Sequence, residues 1–166
     1  MENKNLSKLK LNSEWNIWYH YNKSCWKLTD YKKIFKIKTI QDYWDFHKNL
    51  DLIGDINSQH FFMMRDDITP LWEDDKNKIG GSWSIKLPLV KSYDLWIKLS
   101  SYIVGETLVA TDKLINGLSI STKSNNICVI KIWINDKNQN SIDILPKDII
   151  SNYGYNIIFK KHVAEY

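Results

Sequence analysis

Eight tryptophans, Trp15, Trp18, Trp26, Trp44, Trp72, Trp83, Trp96 and Trp133, are distributed along a chain of only 166 residues. Indole is the bulkiest side chain, flat and electron-rich, with one N–H that seeks a partner when buried. A surplus of such rings calls for either an unusual core or a surface on which flat or cationic groups stack. The chain is long enough to bury a core without disulfides or metals, and its length fits one domain. Its hydrophobic content of 43% and charged content of 25% are those of a globular protein. Twenty-three basic against nineteen acidic residues leave a net charge of +4, a weak bias toward an anionic partner.

Several classes are excluded by what the chain does not contain. No apolar run reaches the 18 residues that suggest a membrane span. Met1 to Leu11 is polar and Lys-rich and is not read as a signal peptide. Cys25 and Cys128 form no CxxC pair and the four histidines are scattered, so neither a metal centre nor a cofactor is expected, and free thiols suit a reducing, cytoplasmic setting. The sequence lacks GxSxG, Walker A, HExxH and GxGxxG patterns. Asp66-Asp67 and Glu73-Asp74-Asp75 read as solvated turn acids rather than an acid/base pair. A binding protein, not an enzyme, is the expectation.

The periodicities predict mixed elements. Glu14–Tyr21, Gln59–Arg65 and Ser82–Leu87 read as strands. Leu118–Thr122 and Ile127–Asn135 alternate around Lys123-Ser124-Asn125-Asn126 like a hairpin. Tyr155–Lys161 is a last strand. Thr39–Asn49 reads as a helix with Thr39 as N-cap and Asp42 in its first turn. Ser92–Val104 is a second, with Ser92 as N-cap, Gly105 past its end and Leu95, Trp96, Leu99, Tyr102 and Ile103 as its stripe. Pro146 opens a third, short helix. Hairpin-like neighbours without βαβ crossovers predict an α+β fold, an antiparallel sheet with helices on one face. Residues 1–10 are expected to be a flexible tail ahead of one domain over 11–166.

The segment Pro70-Leu71-Trp72-Glu73-Asp74-Asp75-Lys76-Asn77-Lys78-Ile79-Gly80-Gly81-Ser82-Trp83 sets an indole directly before a carboxylate. A carboxylate beside a stacking ring suits guanine, whose N1–H and exocyclic amine both donate to it. The alternative is a structural loop with Trp72 folded into the core. This segment closely resembles the signature loop of the eukaryotic translation initiation factor 4E family, the mRNA cap-binding proteins. All eight tryptophans can be placed on that family's eight, Ile103-Val104-Gly105-Glu106 matches its pattern, and the resemblance runs from about Leu11 to His162.

The resemblance implies a curved antiparallel sheet with about three helices on its convex face and 7-methylguanosine held on the concave side. By position, Trp26 and Trp72 resemble the two stacking indoles, Glu73 the carboxylate that reads the guanine edge, and Trp133 the ring against the N7 methyl. The Trp72 backbone N–H is expected to reach O6. Methylation at N7 makes the base cationic, so two electron-rich rings gain cation–π energy beyond stacking. For the phosphates, a family Arg aligns with Lys123; the family's second cation falls near Val129, and Lys131, on the same strand face as Trp133, is the substitute. Ser82 stands where the family often has a basic residue. Surface charges merely solvated are the alternative for both lysines.

On the opposite side, Trp44, Ile40 one turn earlier and Ile97 align with the surface that docks a Tyr-x-x-x-x-Leu-Φ helix of an initiation scaffold of the 4G type or of a 4E-binding repressor. Lys98, where the family is acidic, points to a partner with complementary acids. The implied partners are therefore capped mRNA and such a scaffold or repressor. A cap-holding repressor or decoy, and an interaction module with a degenerate pocket, remain as alternatives.

Overall fold

The computed structural model describes residues 9–21, 24–53, 59–111 and 113–162. Seven strands form one curved, open, wholly antiparallel sheet in the order β2-β1-β3-β5-β6-β4-β7. They are β1 (Lys10–His20), β2 (Tyr31–Thr39), β3 (His60–Arg65), β4 (Gly81–Pro88), β5 (Ile115–Lys123), β6 (Ile127–Ile134) and β7 (Ile157–Lys161). The helices are α1 (Ile40–Lys48), a four-residue continuation α2 (Leu50–Ile53), α3 (Ser92–Val104) and α4 (Lys147–Tyr153). The α+β expectation and its three main helices hold. Of the tail expected over residues 1–10, residues 1–8 lie outside the described residues, and Lys10 pairs with Thr39 at the start of β1.

Local chemistry accounts for the helix ends. Thr39 caps α1: its Oγ1 accepts from Asp42 N–H at 3.1 Å, and the Asp42 carboxylate accepts from Thr39 N–H at 2.9 Å. This reciprocal pair satisfies two N–H groups that the first helical turn leaves open. The N-cap of α3 is Lys91, one residue before the Ser92 expected from sequence, and it makes no side-chain cap bond. Ser92 is instead fully buried as the first helical residue. The stripe of α3 buries Leu95, Trp96, Leu99 and Ile103 against the sheet.

The sequence pattern does not announce β2, with its run Tyr31-Lys32-Lys33-Ile34-Phe35-Lys36-Ile37-Lys38-Thr39. It is an edge strand, and its lysines blunt the exposed edge against further pairing while weakening the alternation. Trp15, Ile17, Phe61, Met63, Trp83, Ile85, Leu118, Ile120, Ile130 and Ile132 point to the helix side and form the main core. Phe62, Met64, Tyr31 and Trp133 form a smaller cluster on the other face. Adjacent residues of one strand thus feed two different clusters, as a two-residue period requires.

Candidate functional site

The same alternation builds the face opposite the helices. On β6, Cys128, Ile130, Ile132 and Ile134 enter the core, leaving Val129, Lys131 and Trp133 on the front. On β5 the front residues are Ser119, Ser121 and Lys123, on β4 Ser84 and Lys86, and on β7 Ile158 and Lys160. All of them line one cavity of about 660 Å³, closed at its other end by Trp26, Tyr31, Phe62, Trp72 and Glu73. Trp133 is only 7% exposed and forms part of the floor. Its Nε1–H donates to Ser119 Oγ at 2.9 Å, and Phe62 meets it edge-on at 6.3 Å.

Trp72 and Glu73 sit at the tip of a loop tied at many points. Asp74 accepts from Thr69 N–H at 2.9 Å, from Thr69 Oγ1–H at 2.7 Å and from Lys76 N–H at 3.0 Å. Asn77 is fully buried, and its Nδ2 donates to Thr69 O at 2.9 Å and Leu71 O at 2.7 Å, the carbonyls just ahead of Trp72. Asn116 Nδ2 donates to Asn77 Oδ1 at 2.9 Å, and His162 Nδ1–H donates to Asn77 O at 2.8 Å. Buried amides earn their place only when paired, and here each bond fixes a turn of the loop. Gly80 is required where the loop rejoins the sheet: a Cβ there would lie 1.8 Å from Ile134 O. Trp72 is left 39% exposed, which removes the reading of it as a core residue.

Trp26 is held differently. Its ring stacks on His20 at 4.1 Å and 8° between planes, with His60 farther along at 5.4 Å. His20 and His60 are direct cross-strand partners on β1 and β3. His20 Nε2–H donates to Cys25 O at 2.8 Å, so one histidine both backs the indole and pins the residue before it. Trp26 remains 49% exposed. Asn22 and Lys23, which precede this segment, lie outside the described residues.

The charges of the cavity are segregated. Glu73 is its only acidic lining residue among those described, while Lys86, Lys123, Lys131 and Lys160 line the rest. Burial holds the Lys131 ammonium below the ordinary lysine range, and the positive charges of Lys123 and Lys160 push it further down. Burial raises the Tyr31 phenol well above its usual value, with the Glu73 and Asp30 carboxylates adding to it, so Glu73 acts electrostatically on the cavity wall. None of the four lysines makes an ion pair among the described residues.

On the helix side, Trp44 is 43% exposed, so it is not an ordinary core ring. Its ring packs edge-on against Tyr43 at 5.1 Å. Tyr43 Oη–H reaches Ile97 O at 3.2 Å and thereby ties α1 to α3. Ile40 and Ile97 are half-buried. Lys98 is bound to Asp148 of α4 at 2.5 Å, which answers its charge within the chain.

Trp26, Trp72, Glu73, Trp133, Lys123 and Lys131 are therefore gathered at one cavity, and Ile40, Trp44 and Ile97 lie on the two helices across the sheet. Sequence reasoning overlooked Asn77, His20, His60, Tyr31 and Lys86. The alternation of β4 could have flagged that lysine; the pairing of the two histidines under Trp26 has no signal short of the strand register.

Comparison with known proteins gives a consistent relationship. The sequence matches the family described as Eukaryotic initiation factor 4E over residues 10–164. It is 30% identical over 138 residues to eukaryotic translation initiation factor 4E of Dictyostelium discoideum, covering 78% of this chain and 53% of the relative. It is also 30% identical over 141 residues to the eukaryotic translation initiation factor 4E homolog of Acanthamoeba polyphaga mimivirus, covering 70% and 52%. The chain thus spans about half the length of these two relatives. Among solved structures, Ascaris suum eIF4E-3 in complex with the m2,2,7G cap superposes with a TM-score of 0.77 at 20% identity, covering 95% of this chain and 93% of the other. The complex of C. elegans eIF4E-3 with the 4E-binding protein Mextli and a cap analog gives 0.77 at 20% identity, covering 93% and 92%.

Proposed function

We propose a function on one established premise: this chain belongs to the eukaryotic initiation factor 4E family. In our reading it binds the 7-methylguanosine cap of mRNA in the front cavity and performs no chemistry on it. The observation that carries this is the segregation within one cavity: two half-exposed indoles and a carboxylate at one end, four lysines at the other. That polarity is the ligand's own. A cationic purine stacks between Trp26 and Trp72 and gains cation–π energy that plain guanine lacks. Glu73 accepts two charge-assisted hydrogen bonds from N1–H and the exocyclic amine. Trp133 takes the N7 methyl, and Lys123 and Lys131 take the triphosphate. Relatives of the same fold solved with cap and cap analog support the assignment. Retention on immobilised 7-methyl-GTP, with elution by free 7-methyl-GTP but not GTP, tests it; passage through the resin contradicts it.

The exposed Trp44, with Ile40 and Ile97, serves as the dock for a Tyr-x-x-x-x-Leu-Φ helix of a scaffold or repressor. A large aromatic beside aliphatic neighbours is a typical helix-in-groove anchor. A labelled peptide carrying that motif is expected to bind the parent and to lose at least tenfold in affinity with Trp44→Ala. Equal binding by the variant contradicts the dock and leaves the decoy reading, in which cap is held without a scaffold.

A further inference from the structure

Trp26 lies on two imidazoles whose acid–base chemistry the cap reading does not use. The strand register sets Tyr31, His20 and His60 in one row across β2, β1 and β3. His20 stacks on the indole at 4.1 Å and 8°, and His60 follows at 5.4 Å and 20°. The two imidazoles are themselves nearly parallel, 5.8 Å apart and 13° between planes. His20 is only 3% exposed. Its Nε2–H donates to Cys25 O, so in the neutral ring Nδ1 is the nitrogen without a proton. That atom is buried and has no hydrogen-bond partner among the described residues. The groups that face the ring are Tyr31 from β2 at 4.5 Å, His60 from β3, and Cys25 and Trp26 from the segment ahead of β2. The Tyr31 phenol, raised well above its usual value, stays neutral. The carboxylates that bear on that phenol are Glu73 and Asp30, and Asp30 accepts from Lys27 N–H at 3.3 Å. No carboxylate is ion-paired with His20 among the described residues.

Resting on the cap-binding reading above, we infer that His20 is a specificity-determining residue, which backs Trp26 against a cationic base while neutral and opposes that base when Nδ1 takes a proton from solvent. Imidazole is the side chain that changes charge between about pH 5 and 8. The indole is then sandwiched between two cations, the imidazolium 4.1 Å behind it and the methylated base stacked on its open face. Adding about 3.5 Å for that stack puts the like charges about 7.6 Å apart. Unit charges at that distance repel weakly through water and several times more strongly near a protein surface. The neutral base of GTP feels no such repulsion, and the triphosphate is common to both nucleotides. Acid therefore lowers the preference for 7-methyl-GTP over GTP, whatever it does to each affinity.

The test titrates the full chain with 7-methyl-GTP and with GTP at pH 7.0 and 5.5, at one ionic strength, and reads each protein's own change in the ratio of the two affinities. The parent ratio is expected to fall about three- to tenfold on acidification. His20→Phe keeps a stacked ring and His20→Gln a neutral side-chain donor; neither can carry the charge, and each should hold its ratio within about twofold. His60→Phe should fall as the parent does. The ligands' own titrations move parent and variants alike, so the difference between proteins isolates the imidazole. A parental ratio that does not change with pH, or a parent-like fall in both His20 variants, overturns the inference. A flat ratio in His60→Phe also overturns it, because the proton then sits on His60. These outcomes leave cap binding itself intact; if the parent fails to bind 7-methyl-GTP at pH 7.0, the cap reading falls and this inference falls with it.

Discussion

The two jaws of the front cavity present the same side chain by opposite means. Trp72 stands on a loop whose turns are fixed by buried amides: Asn77 reaches two carbonyls ahead of it, and Asn116 and His162 hold Asn77 in turn. Trp26 rests on a stack with His20 and His60, between the hydrogen bond from His20 to Cys25 O and the reciprocal pair of Lys27 with Asp30. The first jaw is set before any ligand arrives, and its contacts are gained at little ordering cost. The second is held by a face-to-face contact that leaves its other face open. Under the proposed cap reading, a site made this way would align the guanine edge against the rigid jaw and cover it with the softer one.

The largest expected effect comes from untying the rigid jaw. Asn77→Ala would leave the Thr69 carbonyl without this partner and take one bond each from the Leu71 carbonyl, which keeps Asp74 N–H, and the Asn116 amide, which keeps Lys76 O. At about 1–3 kcal/mol for a buried unsatisfied group and about 0.5–1.5 kcal/mol for each further bond lost, a loss of about 3–5 kcal/mol in folding stability is expected by urea denaturation. If stability is unchanged, the knot does not hold the loop. Glu73→Gln should follow, with about 2–4 kcal/mol lost in 7-methyl-GTP binding, because a charged acceptor is removed and an amine faces guanine's own donors. Equal affinity in variant and parent would remove Glu73 from base reading.

Next come the rings. Trp72→Ala should lose about 1–3 kcal/mol of cap affinity, the usual value of one base–aromatic stack. Trp26→Ala should lose less within that range, since part of the energy of the softer jaw goes into ordering it. Both variants should stay folded, as each ring is well exposed. A reversed order by fluorescence titration would mean that Trp26 is the pre-set jaw. The smallest effect is expected at the backing ring. His20→Ala should cost about 0.5–1.5 kcal/mol of cap affinity, and His20→Phe should recover most of it by restoring the stacked surface. If the Phe variant binds no better than the Ala variant, the hydrogen bond to Cys25 positions Trp26 and the stack does not.

Much of this contrast is legible in the sequence, though unevenly. The period of two in Ile127–Ile134 puts Lys131 and Trp133 on one face, and Thr39 with Asp42 marks the start of α1. The order of Trp72 and Glu73 in a turn-rich loop suggests a purine edge before any coordinates are known. What escapes the sequence is what depends on register. His60 joins His20 under Trp26 because β1 pairs with β3, forty residues on, and Lys160 reaches the row of Trp133 through two strand pairings. Asn77 reads as one more turn residue, since nothing local shows that Asn116 will meet its amide. The Lys-rich β2 hides because an edge strand with little burial needs little alternation.

The most direct test is a paired titration of intrinsic tryptophan fluorescence with 7-methyl-GTP and GTP at constant ionic strength. The expected result is saturable quenching by 7-methyl-GTP, from stacking on Trp26 and Trp72, with GTP binding at least tenfold more weakly because its base lacks the positive charge. Equal affinity for the two nucleotides, or no saturable quenching by 7-methyl-GTP, would contradict the proposal that these two indoles clamp a cationic cap.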